Sequence, residues 1–137
     1  MCGVPRAGKT APVPAAPVQV LVVDDDERFT QALRWIFEAD GRAEAIGTAA
    51  NGQLAIAEAL RLTPDVVTMD IDMPVMDGVE ATRLIVAYAK VPVVLVTGSE
   101  SSVRVTDAMA AGARAYLPKQ DAADKLVDLL LAVVSGR

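Results

Sequence analysis

The chain has 137 residues, 53% of them hydrophobic and 23% charged, with a net charge of −5. This is the size of one domain, with a core large enough to dispense with disulfides. The lack of histidine excludes imidazole catalysis and most transition-metal sites, the single cysteine excludes an internal disulfide, and the dispersed acidity offers nucleic acid no basic patch.

Residues 1–17 are rich in Pro, Ala and Gly, lack periodicity and read as a disordered tail. Gly3-Val4-Pro5-Arg6-Ala7-Gly8-Lys9-Thr10 matches the phosphate-loop pattern GxxxxGK[ST]. That loop needs a strand before it and a helix N-terminus after it, and here only Met1 and Cys2 precede while Ala-Pro-Val-Pro follows. The match is read as coincidence. Pro12, Pro14 and Pro17 interrupt any signal-peptide core, and no apolar run approaches the roughly 18 residues that span a bilayer. The expectation is a soluble, cytoplasmic protein with no membrane partner and no direct contact with nucleic acid.

From Val18 onward strands and helices alternate. Val20–Val23 is a β-branched apolar run that stops at Asp24-Asp25. Phe29, Ala32, Leu33, Ile36 and Phe37 then mark one face of a helix, with an aspartate among Asp24, Asp25 and Asp26 to cap its start and Gly41 past its end. A weak strand follows at Ala43–Thr48, then the turn Asn51-Gly52 and an alanine-rich helix to Leu62 before Pro64. Residues 65–70 form the third strand, and Asp77-Gly78 opens a helix to Ala89. Residues 91–97 form the fourth strand, and Val105, Ala108, Met109 and Gly112 line the inner stripe of the next helix. Ala115–Pro118 is a short fifth strand, and Asp121 starts the last helix.

Runs this uniformly apolar are strands buried on both faces, so the sheet is parallel. The predicted fold class is α/β: a doubly wound five-stranded parallel sheet with five helices and flavodoxin-like order 2-1-3-4-5. In such sheets chemistry sits at the carboxyl ends of the strands. Those ends carry Asp24, Asp25, Asp70, Thr97 and Lys119.

Three clustered carboxylates repel one another unless protonated or neutralised by a cation, and without His or Cys nearby the suited ion is Mg²⁺. Thr97 offers a hydroxyl donor, Lys119 a point charge, and Gly98 a backbone N–H unobstructed by a side chain; one carboxylate is then free to act as nucleophile and form an acyl phosphate.

Leu21-Val22-Val23-Asp24-Asp25-Asp26, the run Pro64 to Gly78 containing Asp70-Ile71-Asp72-Met73-Pro74, Val96-Thr97-Gly98, and Ala111 to Lys119 together resemble the receiver domain of two-component response regulators. The resemblance covers Val18 to Val134, in the family's order and spacing, and gives a receiver at 18–137. It implies a bacterial phosphorelay protein, no enzyme beyond its own phosphoryl transfer and dephosphorylation. Asp70 would take the phosphoryl group from a phosphohistidine on a histidine kinase or phosphotransfer protein. Asp25 and Asp70 would ligate Mg²⁺ directly, Asp24 through water and Asp72 through its backbone carbonyl. Thr97 would bind the phosphoryl group, with Tyr116 as the coupled aromatic switch, and Lys119 would pair with acceptor and phosphate. Gln120 stands where many members have proline, which resembles the branch with DNA-binding output domains; a cis bond before it would cost about 2.5–4 kcal/mol, so trans is expected. Trp35 lies off the helix stripe and is given no role.

Only Ser135-Gly136-Arg137 follows the last helix, so the signal is expected to leave through a surface. Leu126, Val127, Leu129, Leu130, Leu131, Val133 and Val134 span an arc of about 200°, wider than the roughly 100° that packing needs. The excess, Val127, Leu131 and Val134, is expected to be exposed and to form a homodimer or output-protein interface with Val105–Ala111 and Ala115–Leu117. Other readings are a phosphorylation-independent scaffold, a fragment of a longer transcription regulator, and a phosphatase of haloacid-dehalogenase type, whose nucleophile motif resembles Asp70-Ile71-Asp72 but has Thr or Val where Pro74 stands.

Overall fold

The structure, a computed structural model, describes residues 16–98 and 102–136. The glycine-rich match at Gly3–Thr10 and nearly all of the tail lie outside the described residues. β1 (Val18–Val23), β2 (Ala43–Ala49), β3 (Val66–Met69), β4 (Val93–Thr97) and β5 (Ala115–Pro118) form one parallel sheet in the order β2-β1-β3-β4-β5. The connecting helices are α1 (Glu27–Asp40), α2 (Gly52–Leu62), α3 (Gly78–Leu84), α4 (Ser102–Ala110) and α5 (Ala122–Ser135). Sequence and structure agree on the architecture.

Period-2 alternation divides the core. Val20, Val22, Val66, Val94 and Val96 pack with Leu33 and Phe37 of α1 and Leu126 and Leu130 of α5. Leu21, Val23, Val67, Met69, Val93 and Leu95 pack on the opposite face with Ala55, Ala59, Ala81 and Ala108 of α2, α3 and α4. The small residues on that second face admit three helices side by side. Both faces of β3 and β4 are therefore covered, which is why these strands are fully buried and almost wholly apolar, with only Thr68 and Thr97 polar within them.

Local chemistry sets the helix ends. Asp26, of the three candidate aspartates, caps α1 by accepting from the Arg28 N–H, and Gly41 closes it at φ +86°. Asn51 caps α2 through the Leu54 N–H, and Asp77 caps α3 through those of Val79 and Glu80. The helix expected to run to Ala89 changes at Ile85 into a π-helical turn, Ile85–Ala89, closed by the Lys90 N–H donating to the Ile85 carbonyl at 2.9 Å. No cis peptide occurs among the described residues.

Three placements differ from expectation. Val127 is buried at 6% exposure, and Leu131 and Val134 are half-buried against the core. The reason is a wedge: α5 touches α1 on its flank as well as β5, β1 and β3 beneath it, so a 200° apolar arc is used internally. The outer face of α5 carries Asp124, Lys125, Asp128 and Ala132 instead. The expectation that Val127, Leu131 and Val134 stand exposed is thereby corrected. Met109, assigned to the inner stripe of α4, is exposed, and Gly112 lies past the helix in a turn at φ +124°. α5 is preceded by one 3-10 turn, Lys119–Asp121.

Candidate functional site

The sheet order places β1 beside β3, with Val23 in register with Met69, so the next residues, Asp24 and Asp70, emerge side by side. Both are buried, while Asp25 is exposed at the rim. Carboxylate oxygens of Asp24, Asp25 and Asp70 lie within 4.8 Å of one another. These are hard oxygen donors with no nitrogen or sulfur ligand among them, a set suited to Mg²⁺.

Thr97 ends β4, and its Oγ1 donates to Asp70 Oδ1 at 2.9 Å in a buried hydrogen bond. Pro118 is in register with Thr97, and this delivers Lys119 to the same edge. The Lys119 Nζ lies 2.7 Å from Asp24 Oδ2 and 3.6 Å from Asp70 Oδ2. Gly98 is exposed beside the Lys119 stem, where an added Cβ would approach Cδ only to 3.9 Å.

Electrostatics follow from burial and pairing. Burial pushes the Asp24 carboxyl above its usual range and the Asp70 charge adds to this, while Lys119 and the Asp26 N–H, 2.8 Å from Asp24 Oδ1, offset part of it. Burial disfavours the Lys119 ammonium, yet the hydrogen bond to Asp24 and the charges of Asp24 and Asp70 outweigh it and raise its pKa.

The remaining predicted residues lie at the margin. The Asp72 side chain is exposed and faces Arg104 at 3.9 Å. Tyr116, on β5, pairs in register with Leu95 of β4 and is 38% exposed. Trp35 is exposed on α1.

Three contacts escaped sequence reading. Arg104, on α4, donates to Asp77 Oδ2 at 2.8 Å and so ties α4 to the loop after β3; nothing in its local sequence marks it. Gly78 packs so closely on β3 that an added Cβ would fall on the Asp70 carbonyl oxygen, a fit visible only as a bare Asp-Gly pair. Phe29 was legible as part of the α1 stripe, but its ring also faces Lys119 Nζ, 4.6 Å from the centroid.

A family model described as the response regulator receiver domain matches residues 20–131. Among curated relatives, a protein-glutamate methylesterase/protein-glutamine glutaminase of Pseudomonas aeruginosa is 47% identical over 104 residues, 74% of this chain and 28% of the relative. The corresponding protein of Vibrio vulnificus is 43% identical over 105 residues, 75% of this chain and 28% of its own. This chain thus spans little more than a quarter of those relatives. Among solved structures, the response regulator domain of Thermotoga maritima CheB superposes with a TM-score of 0.81 at 28% identity, covering 87% of this chain and 97% of that one. The signal receiver domain of a putative response regulator NarL from Mycobacterium tuberculosis superposes with a TM-score of 0.84 at 27% identity, over 90% and 100%. A CheX-CheY-BeF3-Mg complex from Borrelia burgdorferi gives 0.77 at 29% identity, over 85% and 89%.

Proposed function

Because the chain belongs to the response regulator receiver domain family and works in phosphorylation-dependent signalling, we propose that Asp70 is its phosphoryl acceptor. The observation that carries this is the Asp70 carboxylate held between the Thr97 hydroxyl and the Lys119 ammonium, with Asp24 and Asp25 in reach of one shared cation. The receiver unit is taken as residues 18–137, with 1–17 as a preceding tail.

An Asp70 carboxylate oxygen attacks the phosphorus of a phosphohistidine on a histidine kinase or phosphotransfer protein. The P–N bond breaks, its electron pair goes to the imidazole, and an aspartyl phosphate forms. Asp24, Asp25, Asp70 and the Asp72 backbone carbonyl would hold Mg²⁺, with Asp24 acting through water; when bound, the ion screens the acceptor's charge from the phosphoryl oxygens. Thr97 gives up its hydrogen bond to Asp70 and donates to a phosphoryl oxygen. Lys119, fixed as a cation by its neighbours, supplies the second contact, and the Gly98 N–H a third.

The movement of Thr97 toward the phosphoryl group biases the surface formed by α4 and β5, with Tyr116 on β5 as the coupled aromatic. The output surface is assigned to α4 and β5, where Val103, Met109 and Tyr116 are exposed at 67%, 39% and 38%. No helix among the described residues is long and apolar enough to cross a membrane, in keeping with a cytoplasmic signalling role. Acetyl phosphate with Mg²⁺, followed by intact mass, tests the acceptor: one phosphoryl group is expected on the unmutated chain and none on Asp70→Asn. Pull-down of the phosphorylated chain with and without Val103→Asp tests the surface, and unchanged capture of an output protein would refute it.

A further inference from the structure

We propose that Phe29 is a positioning residue for Lys119, its ring holding the ammonium at the edge where Asp70 receives phosphate. The inference rests on the reading of Asp70 as acceptor and Lys119 as its phosphate partner. Among the described residues, the Lys119 ammonium faces Asp24 Oδ2 at 2.7 Å, Asp70 Oδ2 at 3.6 Å, and the Phe29 ring with its centroid at 4.6 Å. The first two are carboxylates that a bound cation would also claim. The ring is the one neighbour of these three whose attraction for Lys119 survives that competition, because a π face binds a monovalent ammonium without being a metal ligand.

Local structure explains how the ring comes to be there. Phe29 is the third residue of α1, only five positions after Asp24. Side chains in a first helical turn lean back toward the helix start. That direction carries the ring toward the carboxyl end of β1, where Lys119 arrives from β5. The ring is half-buried and packs against the core cluster formed between the sheet, α1 and α5, which limits its freedom to move. Lys119 itself is only 24% exposed on its side chain, and cation–π attraction strengthens as water is excluded. A lysine stem carries several rotatable bonds, and the energy of ordering them falls on the reaction if the ammonium is not already held.

Removal of the ring should therefore slow the chemistry. Phe29→Leu keeps an apolar side chain against the core and removes the π face. Its pseudo-first-order rate of phosphorylation by acetyl phosphate at saturating Mg²⁺ is expected to fall about fivefold, which is ~1 kcal/mol at 1.36 kcal/mol per decade. Phe29→Tyr should react within about twofold of the unmutated chain, because it retains the π face. In a Lys119→Met background the same Phe29→Leu change should have no effect, since no ammonium remains to be held. A merely structural ring would instead cost the same factor in both backgrounds. The unmutated protein supplies a readout that needs no variant: proton NMR should show the Lys119 ε-methylene protons shifted upfield by the ring current.

Loss of labelling in Asp70→Asn with an unchanged rate in Phe29→Leu would overturn this inference and leave the acceptor assignment standing. Labelling that persists in Asp70→Asn would overturn the assignment itself. Should Phe29→Leu fail to fold, the Lys119 ε-methylene shifts decide, and unshifted resonances would overturn the proposal.

Discussion

Lys119 lies closer to Asp24 than to Asp70, at 2.7 Å against 3.6 Å, although Asp70 is the proposed acceptor. The ammonium thus serves as counter-charge to the buried Asp24 carboxylate. Burial drives Asp24 upward, so its ionised form costs folding free energy that Lys119 only partly returns. The same imbalance makes the acid cluster receptive to a divalent cation.

Mg²⁺ should therefore stabilise the fold, by about 1.4 kcal/mol at ten times its dissociation constant. Thermal denaturation with and without the ion measures this. Asp24→Asn should start more stable than the unmutated chain in metal-free buffer near neutral pH and gain less from Mg²⁺. Its advantage should shrink as pH falls: a raised carboxyl pKa means the folded state takes up its proton first, so acid relieves the cost of Asp24. An Asn variant that is less stable without metal, or equally stabilised by it, contradicts this account.

Asp77 behaves in the opposite sense. Burial alone would raise its pKa, but the Glu80 N–H and the Arg104 guanidinium outweigh burial and hold it low. Its stabilising contribution is present above the ordinary carboxylate pKa and is lost as pH falls through the lowered folded value. Asp77→Asn retains a capping oxygen but loses the charge facing Arg104, so urea denaturation should show a deficit of about 0.5–1 kcal/mol near pH 7 that closes toward pH 3.

Gly78→Ala should be costly. The new methyl would collide with the Asp70 carbonyl, which is backbone and unable to move without displacing the acceptor. A loss of about 1–3 kcal/mol is expected, together with slower phosphorylation. Retained stability and rate would show that the loop has room the structure does not give it.

Val75 is the converse case. It is β-branched, 77% exposed and held at φ +70°, a region β-branched residues rarely enter. Val75→Asn loses no packing and suits that backbone, so it should stabilise by about 1 kcal/mol in chemical denaturation.

What the sequence disclosed, and what it hid, divides along a physical line. β1, β3 and β4 were legible because burial on both faces leaves them almost wholly apolar, with Gln19 the one exposed position among the three, so the acids and hydroxyl at their ends stood out. Sheet order then brought Asp24, Asp70, Thr97 and Lys119 together without further information. The α5 surface was misjudged because an apolar arc reports total contact and cannot say how many partners share it; α1 takes the flank where solvent was expected. The π-helical turn at Ile85–Ala89 leaves no trace in a pattern read at one constant period. The contacts of Arg104 with Asp77, and of Phe29 with Lys119, join distant segments through long side chains, so nothing near either residue announces them.

The most direct test of the central claim is intact mass after incubation with acetyl phosphate, run with and without Mg²⁺ on the unmutated chain and on Asp70→Asn. One phosphoryl group is expected, added only with Mg²⁺ and only when Asp70 is present. A phosphoryl group on the Asp70→Asn chain, or none on the unmutated one, would contradict it.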